Sequence, residues 1–165
     1  MKPTFLLLLL VFIASCSSIY TTKHRVNEVK LQLSGDQIEN WSLMSGAWYA
    51  IQPTKIGGVR QVISERYPDG TYKIRFKTIR KDGEINEQTE IGQWGLVGNI
   101  YFSIYRGILT PEGIKYSNTS DPFNYDAYRV IELTESKLVY ESIIEKTVFS
   151  AVRVDFDYAF PETDI

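Results

Sequence analysis

The chain predicts an all-β protein, with about eight antiparallel strands in up-and-down order and one short helix before them. Three observations lead there. From Gly46 to Phe156, short runs of β-forming residues recur, bounded by Gly, Pro, Asn or Asp at hairpin spacing. Aromatic residues make up 13% of the sequence, with 11 Tyr, 8 Phe and 3 Trp, and such side chains favour strands and fill β interiors. After Ser45 no segment shows the i, i+3, i+4 apolar spacing of a helix.

The helix comes first. Ser34-Gly35-Asp36-Gln37 has capping-box spacing, Ser capping the start and Gln reaching back to it, with Ile38, Trp41 and Leu43 as the inner stripe and Ser45-Gly46 as the stop. Strands are then expected over Ala47 to Gln52, Val59 to Tyr67, Thr71 to Arg80, Ile85 to Leu96 and Ile100 to Leu109. They are separated by Gly57-Gly58, Pro68-Asp69-Gly70, Asp82-Gly83 and Gly98-Asn99. Thr110 to Asn124 is the longest stretch without periodicity. Tyr125 to Thr134, Leu138 to Thr147 and Val148 to Phe156 complete the set, with no turn signal between the last two. Thr71 to Arg80 alternates most cleanly, placing Tyr72, Ile74 and Phe76 on one face. Lys73, Arg75 and Lys77 take the other, as a solvated outer face or an anion site. Sequential strands must remove their edges, and closing a barrel does so directly.

Ahead of the barrel, Lys2 precedes an unbroken apolar run from Phe5 to Ala14. That run has the form of a signal-peptide core and is too short for the roughly 20 residues that span a bilayer. The sole cysteine, Cys16, follows at once. Ile13-Ala14-Ser15-Cys16 resembles the lipobox of bacterial lipoproteins. The resemblance implies cleavage before Cys16 and acylation of its sulfur and amine, making Cys16 the membrane anchor. It divides the chain into a signal peptide (1–15), a lipid-anchored tether (16–33) and the barrel domain (34–165). Ser17 stands where an Asp would retain such a protein at the inner membrane in enteric-type bacteria, which implies the outer membrane, facing the periplasm. An ordinary secretory signal with a chance cysteine is the alternative.

Gly46-Ala47-Trp48 opens the first strand directly after the helical turn, and Arg153 lies in the last strand within Val152-Arg153-Val154. Together with the mid-chain Gly92-Gln93-Trp94 and the Tyr128-Arg129-Val130 strand, this resembles the lipocalin and calycin barrels. The resemblance covers about Ser34 to Phe156 and implies structural roles for two residues. Trp48 would close one end, and Arg153 would pack across its ring as a cation–π pair. The chain departs from the secreted lipocalins in having no disulfide pair and no clear helix after the last strand.

Net charge of −2 gives no nucleic-acid footprint. With Cys16 committed to the anchor and His24 the only histidine, in the tether, cysteine- or histidine-based metal sites and nucleophiles cannot be assembled. Glu84, Glu87, Glu90, Asp155 and Asp157 form no pair in a catalytic context, and no Ser sits in a nucleophile elbow. The expectation is therefore no enzyme, no metal and no cofactor. Two functions remain. One is binding a small hydrophobic or amphiphilic ligand in the barrel, lined by Tyr72, Ile74, Phe76, Phe102, Ile104, Tyr128 and Val130. Tyr116 and Phe123 would then belong to a mouth loop. The same aromatics could equally fill a closed core. The other function is a non-enzymatic accessory subunit that docks a protein partner of the envelope.

Overall fold

The computed structural model describes residues 35–55 and 57–162. The expected signal peptide, Cys16, the tether with His24, the strand suggested by Val29, Leu31 and Leu33, and the cap residue Ser34 lie outside the described residues. Helix α1 spans Gly35–Met44. It leads into strands β1 (Gly46–Pro53), β2 (Gly58–Arg66), β3 (Thr71–Arg80), β4 (Ile85–Val97) and β5 (Ile100–Thr110). These are followed by β6 (Gly113–Tyr116), β7 (Tyr125–Leu133), β8 (Lys137–Ser142) and β9 (Val148–Val154). All neighbours are antiparallel. β9 returns to pair with β1, and β4 pairs with β5, so eight strands close into a barrel. β6 is an outlying hairpin partner of β5, made by a tight turn at Pro111 and Glu112 within the stretch expected to lack structure.

The helix plugs one end of the barrel. Trp41 stacks on Trp94 with ring centroids 4.3 Å apart, and Met44 is fully buried. Ile38, expected on the inner stripe, is 58% exposed. Gln37 does not serve as a capping-box residue. Its Nε2 donates to the Leu96 carbonyl and its Oε1 accepts from Gly98 N at 3.0 Å, pinning the helix to the β4–β5 turn. Trp48 lies beneath, 1% exposed, donating from Nε1 to the Met44 carbonyl at 3.0 Å. The Arg153 guanidinium sits 4.3 Å from its ring centre, the cation–π pair that the family resemblance implies. The same guanidinium donates to the carbonyls of Leu43, Ser45 and Glu135. It thereby satisfies groups that a helix end leaves without partners.

The outer face of β2 is as buried as the inner one. The chain after β9 crosses it: Tyr158 packs on Tyr49, Phe156 stacks on Tyr67, and Arg75 donates to the Tyr158 carbonyl at 2.7 Å. Beneath this strap Glu65 is 2% exposed, held by Lys73 Nζ at 2.8 Å, Arg75 Nε at 3.2 Å and the Tyr67 hydroxyl at 2.7 Å. Lys73 and Arg75 thus pair with one buried carboxylate. The solvated cationic face expected there is only partly realised. β8 also ends earlier than expected. Ser142 Oγ accepts from Glu145 N at 3.0 Å and Lys146 takes φ +59°, so Ile143 and Ile144 lie in a turn.

Candidate functional site

Hairpin register decides which side chains enter the barrel. The Pro68-Asp69-Gly70 turn, in which Asp69 Oδ1 accepts from Thr71 N at 2.9 Å, sets Arg66 opposite Tyr72, Ser64 opposite Ile74 and Val62 opposite Phe76. Paired residues share a face. Tyr72, Ile74 and Phe76 point inward as expected, and they carry Arg60, Val62, Ser64 and Arg66 in with them.

On β5 the same rule overturns an expectation. The Gly98-Asn99 turn pairs Leu96 with Tyr101 and Trp94 with Ser103, so Tyr101 and Ser103 face in. Phe102 and Ile104, expected to line the interior, are on the outer face. Phe102 is 37% exposed, and its ring lies over Gly95, where an added Cβ would stand 2.2 Å from Cζ. The strand carries two alternations, Ile100-Phe102-Ile104 and Tyr101-Ser103-Tyr105. A one-residue shift exchanges the faces, and the turn rather than hydrophobicity selects between them.

The interior is aromatic and only partly filled. Tyr101 stacks on Tyr128 at 5.2 Å, Tyr128 meets Tyr140 edge-on at 5.2 Å, and Tyr140 stacks on Phe149 at 5.2 Å. Tyr72 and Val130 pack into the core toward the plugged end. Between these rings and β2–β3 lies a cavity of about 180 Å³, bounded by Ser64, Arg66, Ile74, Phe76, Tyr101 and Phe149 among others. Two further depressions share its walls. Arg60 and Phe76 also wall a recess of about 110 Å³ with Gln88 and Glu90. Tyr128 and Phe149 continue into a surface groove of about 630 Å³ with Phe123, Tyr125 and Ile144.

Of the two expected mouth residues, Phe123 lines that groove and is 91% exposed, whereas Tyr116 sits on β6 away from it, 74% exposed. The loop before β7 is tied down. Asp121 accepts from Phe123 N at 2.9 Å, buried Asn124 donates to the Asn118 carbonyl at 2.6 Å, and the Tyr125 hydroxyl donates to the Thr119 carbonyl at 3.0 Å. Among the interior residues that the sequence did not single out are Ser64, Arg66, Tyr101, Tyr140 and Phe149. The β2–β3 turn is the signal that would have placed the first two.

Burial raises the phenol pKa of Tyr72 and Tyr128, and of Tyr140 to about 12, so these hydroxyls stay neutral. It also raises the carboxyls of Glu90 and Asp126, which face the open end; Glu90 accepts from Gln88 Nε2 at 2.7 Å. A carboxyl with a raised folded-state pKa holds its proton more tightly when folded. Its contribution is complete below the unfolded value and is lost as pH rises through the folded one. Glu90→Gln, which cannot ionise, should therefore gain stability relative to the parent as pH rises from about 4 to about 7. Urea unfolding of both proteins at the two pH values checks this, and a difference that stays constant would refute it. Among the described residues no group of three or more His, Cys, Asp or Glu side chains is placed to hold a metal ion.

No protein-family model matches the chain, and no curated protein matches its sequence. Among solved structures it is similar to a lipocalin-like protein from Bacteroides uniformis ATCC 8492, with 20% identity and a TM-score of 0.42. The match covers 68% of this chain and 99% of that one.

Proposed function

We propose that this chain is an envelope lipoprotein that carries a small hydrophobic or amphiphilic ligand inside its barrel, anchored to the membrane through Cys16. The observation that supports carriage most is the interior cavity with mixed walls, aromatic and aliphatic on most sides with a few polar groups. That is the general make-up of small-molecule sites. Its volume is below the ≈ 300–1,000 Å³ of typical ligand pockets, which favours a short ligand or one whose tail emerges through the mouth. Octanoate and 1-octanol are suitable probes. Saturable binding of either by the purified full chain is expected, and binding of neither would end the carrier reading.

An accessory role toward a protein partner would be favoured by an open barrel with a free apolar edge. Among the described residues, ring closure between β4 and β5 leaves only the short β6 as an outer edge, so the ligand reading is preferred. Co-purification from membranes of a stoichiometric partner, with no ligand bound, would reverse that preference.

The anchor rests on Ile13-Ala14-Ser15-Cys16 and has its own test. Cys16→Ser is expected to leave an unlipidated, uncleaved precursor, seen as a heavier species by intact-mass analysis of the membrane fraction. A variant processed at the same site as the parent would refute lipidation.

A further inference from the structure

Arg66 is the least expected group in the barrel. It is 2% exposed, projects inward from β2, and its guanidinium lies 4.7 Å from the centre of the Tyr101 ring. Its Nε and Nη1 have no hydrogen-bond partner, and among the described residues no carboxylate forms an ion pair with it. Two residues earlier on the same face, the buried Ser64 Oγ is also without a partner, and both side chains border the same cavity. Proteins seldom leave buried donors unmatched, and an unpaired buried cation is costlier still.

The surroundings do not neutralise it. Tyr101 and Tyr140 press on the guanidinium, and the Tyr140 phenol stays protonated. The inward carboxyls Glu90 and Asp126 are set toward the mouth, where Glu90 shares its recess with Arg60. A guanidinium with free N–H donors, a hydroxyl beside it and apolar walls leading outward describe the complement of an acid with a short hydrocarbon tail.

We propose that Arg66 is the counter-ion of the ligand, so that the barrel takes a small amphiphile with a carboxylate head. The head lies against Arg66 and Ser64, and the apolar part runs along Ile74, Phe76 and Phe149 toward the open end. This rests on the carrier reading above and narrows it to one class of ligand.

The test uses the full chain kept in solution by an amphipathic polymer, titrated with carboxyl-¹³C octanoate, with 1-octanol as the uncharged counterpart of equal length. The parent is expected to bind octanoate at least about tenfold more tightly than 1-octanol, since hydrogen bonds to charged groups are worth that much. Arg66→Gln should remove this preference while leaving 1-octanol binding unchanged. Equal affinity of the parent for both probes would overturn the carboxylate assignment and leave the carrier reading standing; binding of neither would remove both. Acetate displacing octanoate at equal concentration would show a tail-independent anion site and overturn the amphiphile. The comparison of probes on the parent decides the matter even where Arg66→Gln fails to fold.

Discussion

Truncating Trp48 to alanine is expected to lower the unfolding free energy by about 3–5 kcal/mol. The side chain is 1% exposed at the point where α1, β1 and β9 meet. Its removal leaves a cavity between Met44 and the barrel floor, deprives the Met44 carbonyl of the indole donor, and strips the Arg153 guanidinium of the ring it lies on. Arg153 keeps its bonds to the Leu43, Ser45 and Glu135 carbonyls, so the helix stays attached at its end while its packing is lost. Trp48→Phe retains a ring face for the guanidinium and should cost about 1–2 kcal/mol. Chemical denaturation of the full chain measures both. A loss below about 1 kcal/mol for the alanine variant would contradict the closing role of Trp48.

The second large effect is expected at Gly92. It sits at the irregularity between β4 and β5, opposite Tyr72, whose ring lies directly on the glycine backbone. A Cβ there would stand 2.2 Å from the Ile104 carbonyl oxygen and 2.4 Å from Tyr72 Cζ. One neighbour is backbone and the other is a buried ring, so neither can give way cheaply. Gly92→Ala should destabilise by about 3 kcal/mol, the upper end of overpacking costs. Gly95→Ala supplies the contrast. Its nearest neighbour is also 2.2 Å away, but that atom belongs to the half-exposed Phe102 ring on the outer face, which can swing into solvent. It should cost under about 1.5 kcal/mol. Equal losses at the two sites, measured by thermal or urea unfolding, would show that the distinction between backbone and mobile side chain is wrong here.

What could be read from the chain followed from local chemistry. Turn residues at hairpin spacing located most of the eight barrel strands, though not the boundary between β8 and β9, and the resemblance carried by Gly46-Ala47-Trp48 and Arg153 anticipated the plugged end. What could not be read depended on which face a register selects or on contacts distant in sequence. Phe102 and Ile104 looked like lining because they are the more apolar alternation of β5, yet the Gly98-Asn99 turn sends Tyr101 and Ser103 inward. Arg66 sits on the more polar alternation of β2, a face that polarity alone would assign to solvent; its pairing with Tyr72 brings it in. The burial of Glu65 depends on the strap of Phe156 and Tyr158, which no periodicity within β2 could reveal. Ile143 and Ile144 read as strand because isoleucine favours strands, while the bend that exposes them is made by Ser142 and Lys146.

These features bear on function in one way. The expected lining divides: Tyr72, Ile74, Phe76, Tyr128 and Val130 are turned inward, Phe102 and Ile104 outward, and the interior gains a cation that the protein itself does not pair. On the carrier reading, this interior, rather than the outer face or the mouth alone, receives the ligand. Residue-resolved NMR of the full chain during titration with octanoate distinguishes these locations. Saturable shifts are expected at Ser64, Arg66, Ile74, Phe76, Tyr101 and Phe149, with Phe102 and Ile104 unmoved. Shifts confined to Phe102, Ile104 or the exposed Phe123 and Ile144, with the interior signals unchanged, would contradict that reading.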